Sequence, residues 1–167
     1  MRRAPHSIYA LALGSNQRHT RHGPPECVVA KALTKIDGKH VQLLAQSATI
    51  RSHPIGPSQR IFANAAAIVE TRLDPLELLA RLKRIEHKLG RRQRGQRWQA
   101  RVIDLDIILW SGGLWASPEL TVPHTEFRKR AFVLGPLAAI AGDWRDPLSG
   151  LTVRQLKARL DRKRPAA

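Results

Sequence analysis

Cys27 is the only cysteine among 167 residues, which excludes intramolecular disulfides and cysteine-rich zinc sites. No stretch approaches the ~18 uninterrupted apolar residues of a membrane helix. The first residues, MRRAPHSIYALALG, carry two arginines, but their apolar part runs into GSN without an A-x-A cleavage site, so a cytoplasmic protein is expected. No G-x-x-x-x-G-K-[ST] loop occurs, so backbone amides of that kind are not available to cradle phosphate. Acidic residues are few, 13 Asp plus Glu against 29 Lys plus Arg. Aromatics are few as well, with three Phe, four Trp and one Tyr. No internal repeat and no linker interrupts the chain, and residues 1–167 read as a single domain with residues 1–7 and 161–167 frayed.

What remains is an ordinary globular composition, 43% hydrophobic and 25% charged, with a net charge of +16. Such an excess usually meets phosphate, on nucleic acid, nucleotide or a membrane surface. It is concentrated between residues 81 and 101, where Arg81, Lys83, Arg84, Lys88, Arg91, Arg92, Arg94, Arg97 and Arg101 face one acid, Glu86. A charge run is most often a solvated face, but this one leads directly into Asp104-Leu-Asp106, two acids inside an apolar run. Side chains alternate along a strand, so Asp104, Asp106, Ile108 and Trp110 should share one face and Leu105, Ile107 and Leu109 the other. The carboxylates then stand roughly 6.5 to 7 Å apart. They need cations, supplied either by Arg97 and Arg101 or by a metal bound between them.

The apolar periodicity alternates strands and helices. Strands are expected at 8–13, 41–51, 62–71 and 102–110, and Gly112-Gly113 suggests a hairpin. Helices are expected over 25–36, after Asp74-Pro75-Leu76-Glu77 with its N-cap and capping glutamate, over 136–141, and after Thr152. Strand, helix, strand, strand, helix, strand is the order of a ferredoxin-like split βαβ fold. The class is α+β, an antiparallel sheet with helices packed on it. That fold hosts many functions, so function must come from the site.

Five motifs occur in order: Gly14-Ser15-Asn16, Asn64-Ala65-Ala66, Arg97-Trp98 with Arg101, Asp104-Leu105-Asp106, and Val122-Pro123-His124. Together, from about residue 8 to 140, they resemble the 6-hydroxymethyl-7,8-dihydropterin pyrophosphokinase family of folate biosynthesis. The resemblance implies transfer of the β,γ-pyrophosphoryl group of ATP to the pterin's hydroxymethyl oxygen, releasing AMP, with two Mg²⁺ ions on Asp104 and Asp106. That chemistry suits the residues: Mg²⁺ takes one or two carboxylates plus phosphate oxygens, and guanidinium forks match phosphate.

Position by position, the resemblance places Phe62 and Phe132 as walls on the pterin, Asn64 as the amide that reads it, and Ser52, His53 and Ile55 as further contacts. Leu79, Lys83, Glu86, Trp98, Ile107, Thr121, His124 and Arg130 fall at ATP-contacting positions, with Arg97 and Arg101 on the phosphates. Core packing is the commoner fate of Phe, and a lone His is often only a satisfied surface or core residue. In the loop after Gly90, counting forward puts phosphate-binding positions at Arg91 and Gln93. Counting back from Trp98 puts them at Arg92 and Arg94. Three positions depart from the family pattern: Gln99-Ala100 replaces Gly-Pro, Thr125 an aromatic, and Glu119 an arginine found in some members. The partners implied are small molecules, with no nucleic acid and no membrane, and a monomer is expected.

The rival class is a basic ferredoxin-like RNA-binding module. It would need aromatics on central strands and an RNP1 pattern, and the sequence has neither. A scaffold that kept the fold without catalysis would not need the aspartate pair.

Overall fold

The computed structural model of the chain describes residues 5–53, 60–90 and 102–163. Strand β1 (Ser7–Ser15) leads into helix α1 (Pro25–Ile36), whose buried residues Val28, Val29, Ala32, Leu33 and Ile36 form one stripe at helical spacing. Strand β2 (Val41–Gln46) and the short β3 (Ile50–Ser52) both pair with β4 (Phe62–Thr71). The single strand expected over 41–51 is therefore broken. Ser47 donates its N–H to the Ala66 carbonyl and accepts the Ala66 N–H on its hydroxyl, so a side chain replaces one rung of the ladder.

Asp74 and Glu77 form the expected capping box at the start of α2 (Pro75–Lys88), and Gly90, at φ +89°, supplies the left-handed residue that ends it. Strand β5 (Asp104–Trp110) completes the sheet in the order β2-β4-β1-β5 with β3 beside β4, every pairing antiparallel. This is the ferredoxin-like arrangement.

Helices α1 and α2 cover one face of the sheet, over Tyr9, Leu11, Leu13, Leu105 and Ile107. Helices α3 (Ala131–Ala141) and α4 (Val153–Arg162) close the other, over Ala10, Ala12, Ala66 and Ile68. Small residues on this second face let α3 approach closely.

Besides the break between β2 and β3, the structure differs from the expected elements in four places. Helix α3 begins at Ala131 and holds Pro136 inside it, because Phe132, Val133 and Leu134 gain more by packing on the sheet than the proline's lost hydrogen bond takes away. Gly112-Gly113 makes only a tight turn, Gly113 N–H to the Trp110 carbonyl. The paired hairpin is β6 (Trp115–Ala116) with β7 (Thr121–Val122). Residues 161 and 162, expected to fray, close α4, with Lys157 bonded to Asp161 at 2.6 Å. Likewise Ser7 already pairs with Thr71.

The fourth correction concerns the aspartate strand. The β1–β5 register slips between Ala10 and Leu11, with Ala10 opposite Leu109 and Leu11 opposite Ile107. Ile108 is thus the extra residue of a bulge, and alternation fails beyond it. Leu109 joins the cluster under α3. Trp110 crosses to the α1 and α2 side, stacking on Tyr9 at 6.3 Å with Trp115 edge-on to it at 5.9 Å.

Candidate active site

Before that bulge the alternation holds, and it builds the site. Gly14 of β1 lies between Asn64 of β4 and Asp104 of β5, while Ala12 lies between Ala66 and Asp106. Cross-strand partners point to one face, so both aspartates and the amide stand on the α3 side of the sheet. Asp104 and Asp106 are half-buried, and the residues between them and β4 are glycine and alanine. Two hard oxygen donors over small neighbours, at the rim of the α3-covered face, make a fitting seat for a cation that shares its shell with phosphate oxygens. Among the described residues no cluster of three or more His, Cys, Asp or Glu forms a closed metal cage, so such a cation would have to draw ligands from substrate and water.

At the β3–β4 corner, Asn64 is 3% exposed and donates from Nδ2 to the Ser52 hydroxyl at 2.6 Å. Phe62 pairs with Ser52, is half-buried, and shares the face of Asn64. His53 follows, exposed. A Cβ built on Gly135 would meet Ile50 Cδ1 at 3.9 Å, so α3 begins over this corner. Phe132, one turn earlier on that helix, is half-buried there. The Arg130 guanidinium stands 5.9 Å from the Phe132 ring centre.

His124 follows the cis Val122–Pro123 bond. Its N–H donates to the Ile108 carbonyl at 3.0 Å, which ties it to the bulge. Its Nδ1 accepts from the Glu126 N–H at 3.1 Å, which leaves the proton of the neutral ring on Nε2. Nε2 lies 4.0 Å from Asp106 Oδ2. Burial, then the Arg130 charge, lowers the pKa of His124 against the opposing pull of Asp104 and Glu126. The ring is therefore neutral at pH 7, with its N–H turned toward Asp106.

On the other side of β5, Glu86 is 6% exposed and accepts the Leu105 N–H at 2.8 Å. That amide lies between the two aspartates, so Glu86 fixes the strand that presents them. Leu79, half-buried against the core, and the exposed Lys83 occupy the same strip of α2. Ile107 has its side chain in the core under α1 and α2, at 2% exposure. Thr121, opposite Ala116, is exposed. Ile55, Arg91, Arg92, Gln93, Arg94, Arg97, Trp98, Gln99, Ala100 and Arg101 lie outside the described residues.

One feature near the site is absent from the sequence reading. Arg128 grips Asp146 with two bonds, Nε to Oδ2 at 2.6 Å and NH2 to Oδ1 at 2.7 Å, and Ser149 adds a third at 2.6 Å. Asp146 is fully buried. The pair fastens the 3-10 turn Phe127–Lys129, which leads to Arg130 and Phe132, onto the α3–α4 connection. Nothing local in the sequence signals a pair 18 residues apart.

The chain has relatives among known proteins. Residues 10–142 match the sequence model of the 7,8-dihydro-6-hydroxymethylpterin-pyrophosphokinase (HPPK) family. The chain is similar to the 2-amino-4-hydroxy-6-hydroxymethyldihydropteridine pyrophosphokinase of Haemophilus influenzae, 38% identical over 156 residues, covering 92% of this chain and 93% of the relative. The enzyme of the same name from Methylorubrum extorquens is 43% identical over 153 residues, covering 90% and 92%. Among solved structures, Plasmodium falciparum HPPK-DHPS with pteroate superposes with a TM-score of 0.69 at 14% identity, covering 93% of this chain and 42% of that one. The last likeness concerns the fold alone.

Proposed function

The chain belongs to the 7,8-dihydro-6-hydroxymethylpterin-pyrophosphokinase family, and from that premise we propose how its residues divide the work. The activity is transfer of the pyrophosphoryl group of ATP to hydroxymethyldihydropterin in folate biosynthesis, with ATP as co-substrate. An RNA-binding role has no support beside it.

Asp104 and Asp106 would hold two Mg²⁺ ions, sharing their shells with phosphate oxygens. The chemistry such ions would supply there is neutralisation of triphosphate charge at the β-phosphorus. The observation that carries this assignment is the shared face and register of Asn64, Gly14 and Asp104. It sets the Asn64 amide and the Asp104 carboxylate in one row across three strands, about 10 Å from end to end, which supports a pterin at one end and phosphate at the other. Phe62 and Phe132 sandwich the flat ring, as a heteroaromatic substrate favours two aromatic walls and a few fixed polar groups. Ser52, His53 and Ile55 complete the pterin side. Leu79, Lys83, Glu86, Trp98, Ile107, Thr121, His124 and Arg130 border the nucleotide, several of them through the backbone. Arg91, Arg94, Arg97 and Arg101 supply guanidinium groups to the phosphates. The protein works as one domain, as a monomer, in the cytoplasm. Among the described residues no helix is long and apolar enough to cross a membrane.

The direct test is to incubate the protein with ATP, Mg²⁺ and reduced hydroxymethylpterin and measure AMP. Absence of AMP with the pterin, or equal AMP without it, overturns the reading. Within it, Phe62→Ala and Asn64→Ala should weaken pterin binding by tenfold or more while ATP binding stays within about twofold, because each removes a group that faces only the ring. Equal losses for both ligands in calorimetry would reduce these residues to core support.

The loop after Gly90 offers a second division. Arg94, not Gln93, supplies the guanidinium at the phosphate-binding position, since Arg92-x-Arg94 restores the expected spacing when one residue is inserted near Gly90. Loops absorb such shifts because no ladder pins their backbone. Arg94→Ala should lower kcat about tenfold, ~1.4 kcal/mol for one charge-assisted contact made in the transition state. Gln93→Ala should change kcat little. Single-turnover measurement decides, and the reverse order of effects would put the register one residue earlier.

A further inference from the structure

Gly14 is a glycine without a backbone reason. It lies inside a strand and does not have a positive φ, and a glycine there weakens the strand relative to any residue with a side chain. What it does have is a crowded neighbour. A Cβ built on Gly14 would stand 3.1 Å from Asn64 Oδ1 and 3.9 Å from Phe62 Cδ1. The second distance is an ordinary contact. The first is too close to keep without moving the amide by a few tenths of an ångström.

The amide has little freedom to move. Its other end, Nδ2, is held by the Ser52 hydroxyl at 2.6 Å, and the side chain is almost wholly buried. Asn64 is thus clamped between a hydrogen bond on the β3 side and a gap on the β1 side. The gap exists only because residue 14 has no side chain. Asp104 is the register partner of Gly14 on the opposite strand, so an added methyl group would stand in the row between the pterin-reading amide and that aspartate.

We propose that Gly14 is a positioning residue for the pterin, acting through Asn64, and that Ser52 completes the clamp from the other side as a positioning residue of the same kind. This rests on the assignment of Asn64 to the pterin. The amide discriminates its ligand by direction, and a rotation forced by a Cβ turns its donor and acceptor away from the ring edge. Beyond its own place on the pterin side, Ser52 acts on the ligand by orienting Asn64 through its hydroxyl.

The test is a double-mutant cycle read by calorimetry, with reduced hydroxymethylpterin and a non-hydrolysable ATP analogue as separate probes. Gly14→Ala should raise the pterin Kd by about tenfold and leave the analogue's Kd within twofold. In an Asn64→Ala background, where no amide remains to displace, the same Gly14→Ala change should add less than twofold. Equal losses in both backgrounds would mean that the methyl group meets the ligand or bends the strand directly, and would overturn the proposal. So would an unchanged pterin Kd in Gly14→Ala.

Ser52→Ala supplies the second arm, and serves alone if Gly14→Ala does not melt cooperatively. It should weaken pterin binding and spare the ATP analogue, and Ser52→Thr should restore affinity by returning the hydroxyl. Unchanged pterin affinity in Ser52→Ala, or no rescue by threonine, overturns the clamp. Failure of the wild-type protein to bind the pterin would instead overturn the assignment of the site, a result separable from every variant outcome.

Discussion

Asp104→Asn and Asp106→Asn are each expected to lower AMP formation by about a thousandfold, ~4 kcal/mol of transition-state stabilisation, while the protein still folds. Asparagine keeps the size and one oxygen of the side chain but removes the charge. A divalent cation shared with phosphate oxygens loses most of its protein attraction when one of two carboxylates becomes neutral. The fold should tolerate the change because both side chains are half-buried at the rim, and removing one of two neighbouring like charges relieves repulsion. Circular dichroism and thermal melting of the two variants should match wild type. AMP production near the wild-type rate at saturating Mg²⁺ would remove the carboxylates from the chemistry.

Asp146→Asn should produce the largest loss of stability, about 3 kcal/mol at pH 7 or a Tm lower by roughly 6–12 °C. It leaves the Arg128 guanidinium without a charged partner beside a fully buried position. The dependence on pH identifies the cause. Burial by itself would raise the Asp146 pKa, but the hydrogen bonds from Arg128, Ser149 and the Leu148 N–H outweigh it and hold the group at about 2. A carboxyl whose folded pKa lies below its unfolded value of about 3.9 stabilises the fold at every pH above that value. The contribution, roughly 2–3 kcal/mol, is largely lost as pH falls from ~4 to 2. The stability gap between wild type and Asp146→Asn should therefore narrow by about that amount between pH 6 and pH 2 in urea titrations. A gap that stays constant across this range would mean that shape, and not the charge, is what Asp146 contributes.

The two predictions differ in how far the sequence could have led to them. Asp104 and Asp106 are legible because a period of two and a spacing of two coincide, and any strand through them sets both on one face. Asp146 and Arg128 are not legible, because their meeting depends on where α3 turns back. Where the local signal is complete, it suffices to define the element. Asp74-Pro75 with Glu77 fixed the start of α2, the stripe of Val28, Val29, Ala32, Leu33 and Ile36 fixed α1, and β4 ran over its expected residues. Elsewhere a tertiary contact overrides the local signal. Pro136 looked like a helix start because proline suits a first turn, yet the apolar residues before it had a sheet to pack against.

The candidate site divides along the same line. The sequence, with the family resemblance it carries, offered the candidates for the chemistry: the aspartate pair, the asparagine two residues after an aromatic, the arginine-rich approach and the histidine after Val-Pro. These are choices of functional group and spacing, and a chain carries them wherever it folds. Tertiary structure decided who stands beside whom. It placed Gly14 between Asn64 and Asp104, tied Ser52 to the amide, set Glu86 on the Leu105 N–H and moved Trp110 to the far face through one inserted residue at Ile108. Register and bulges follow from pairings between strands far apart in sequence, and their energy comes from packing the whole face at once. No local pattern records that sum.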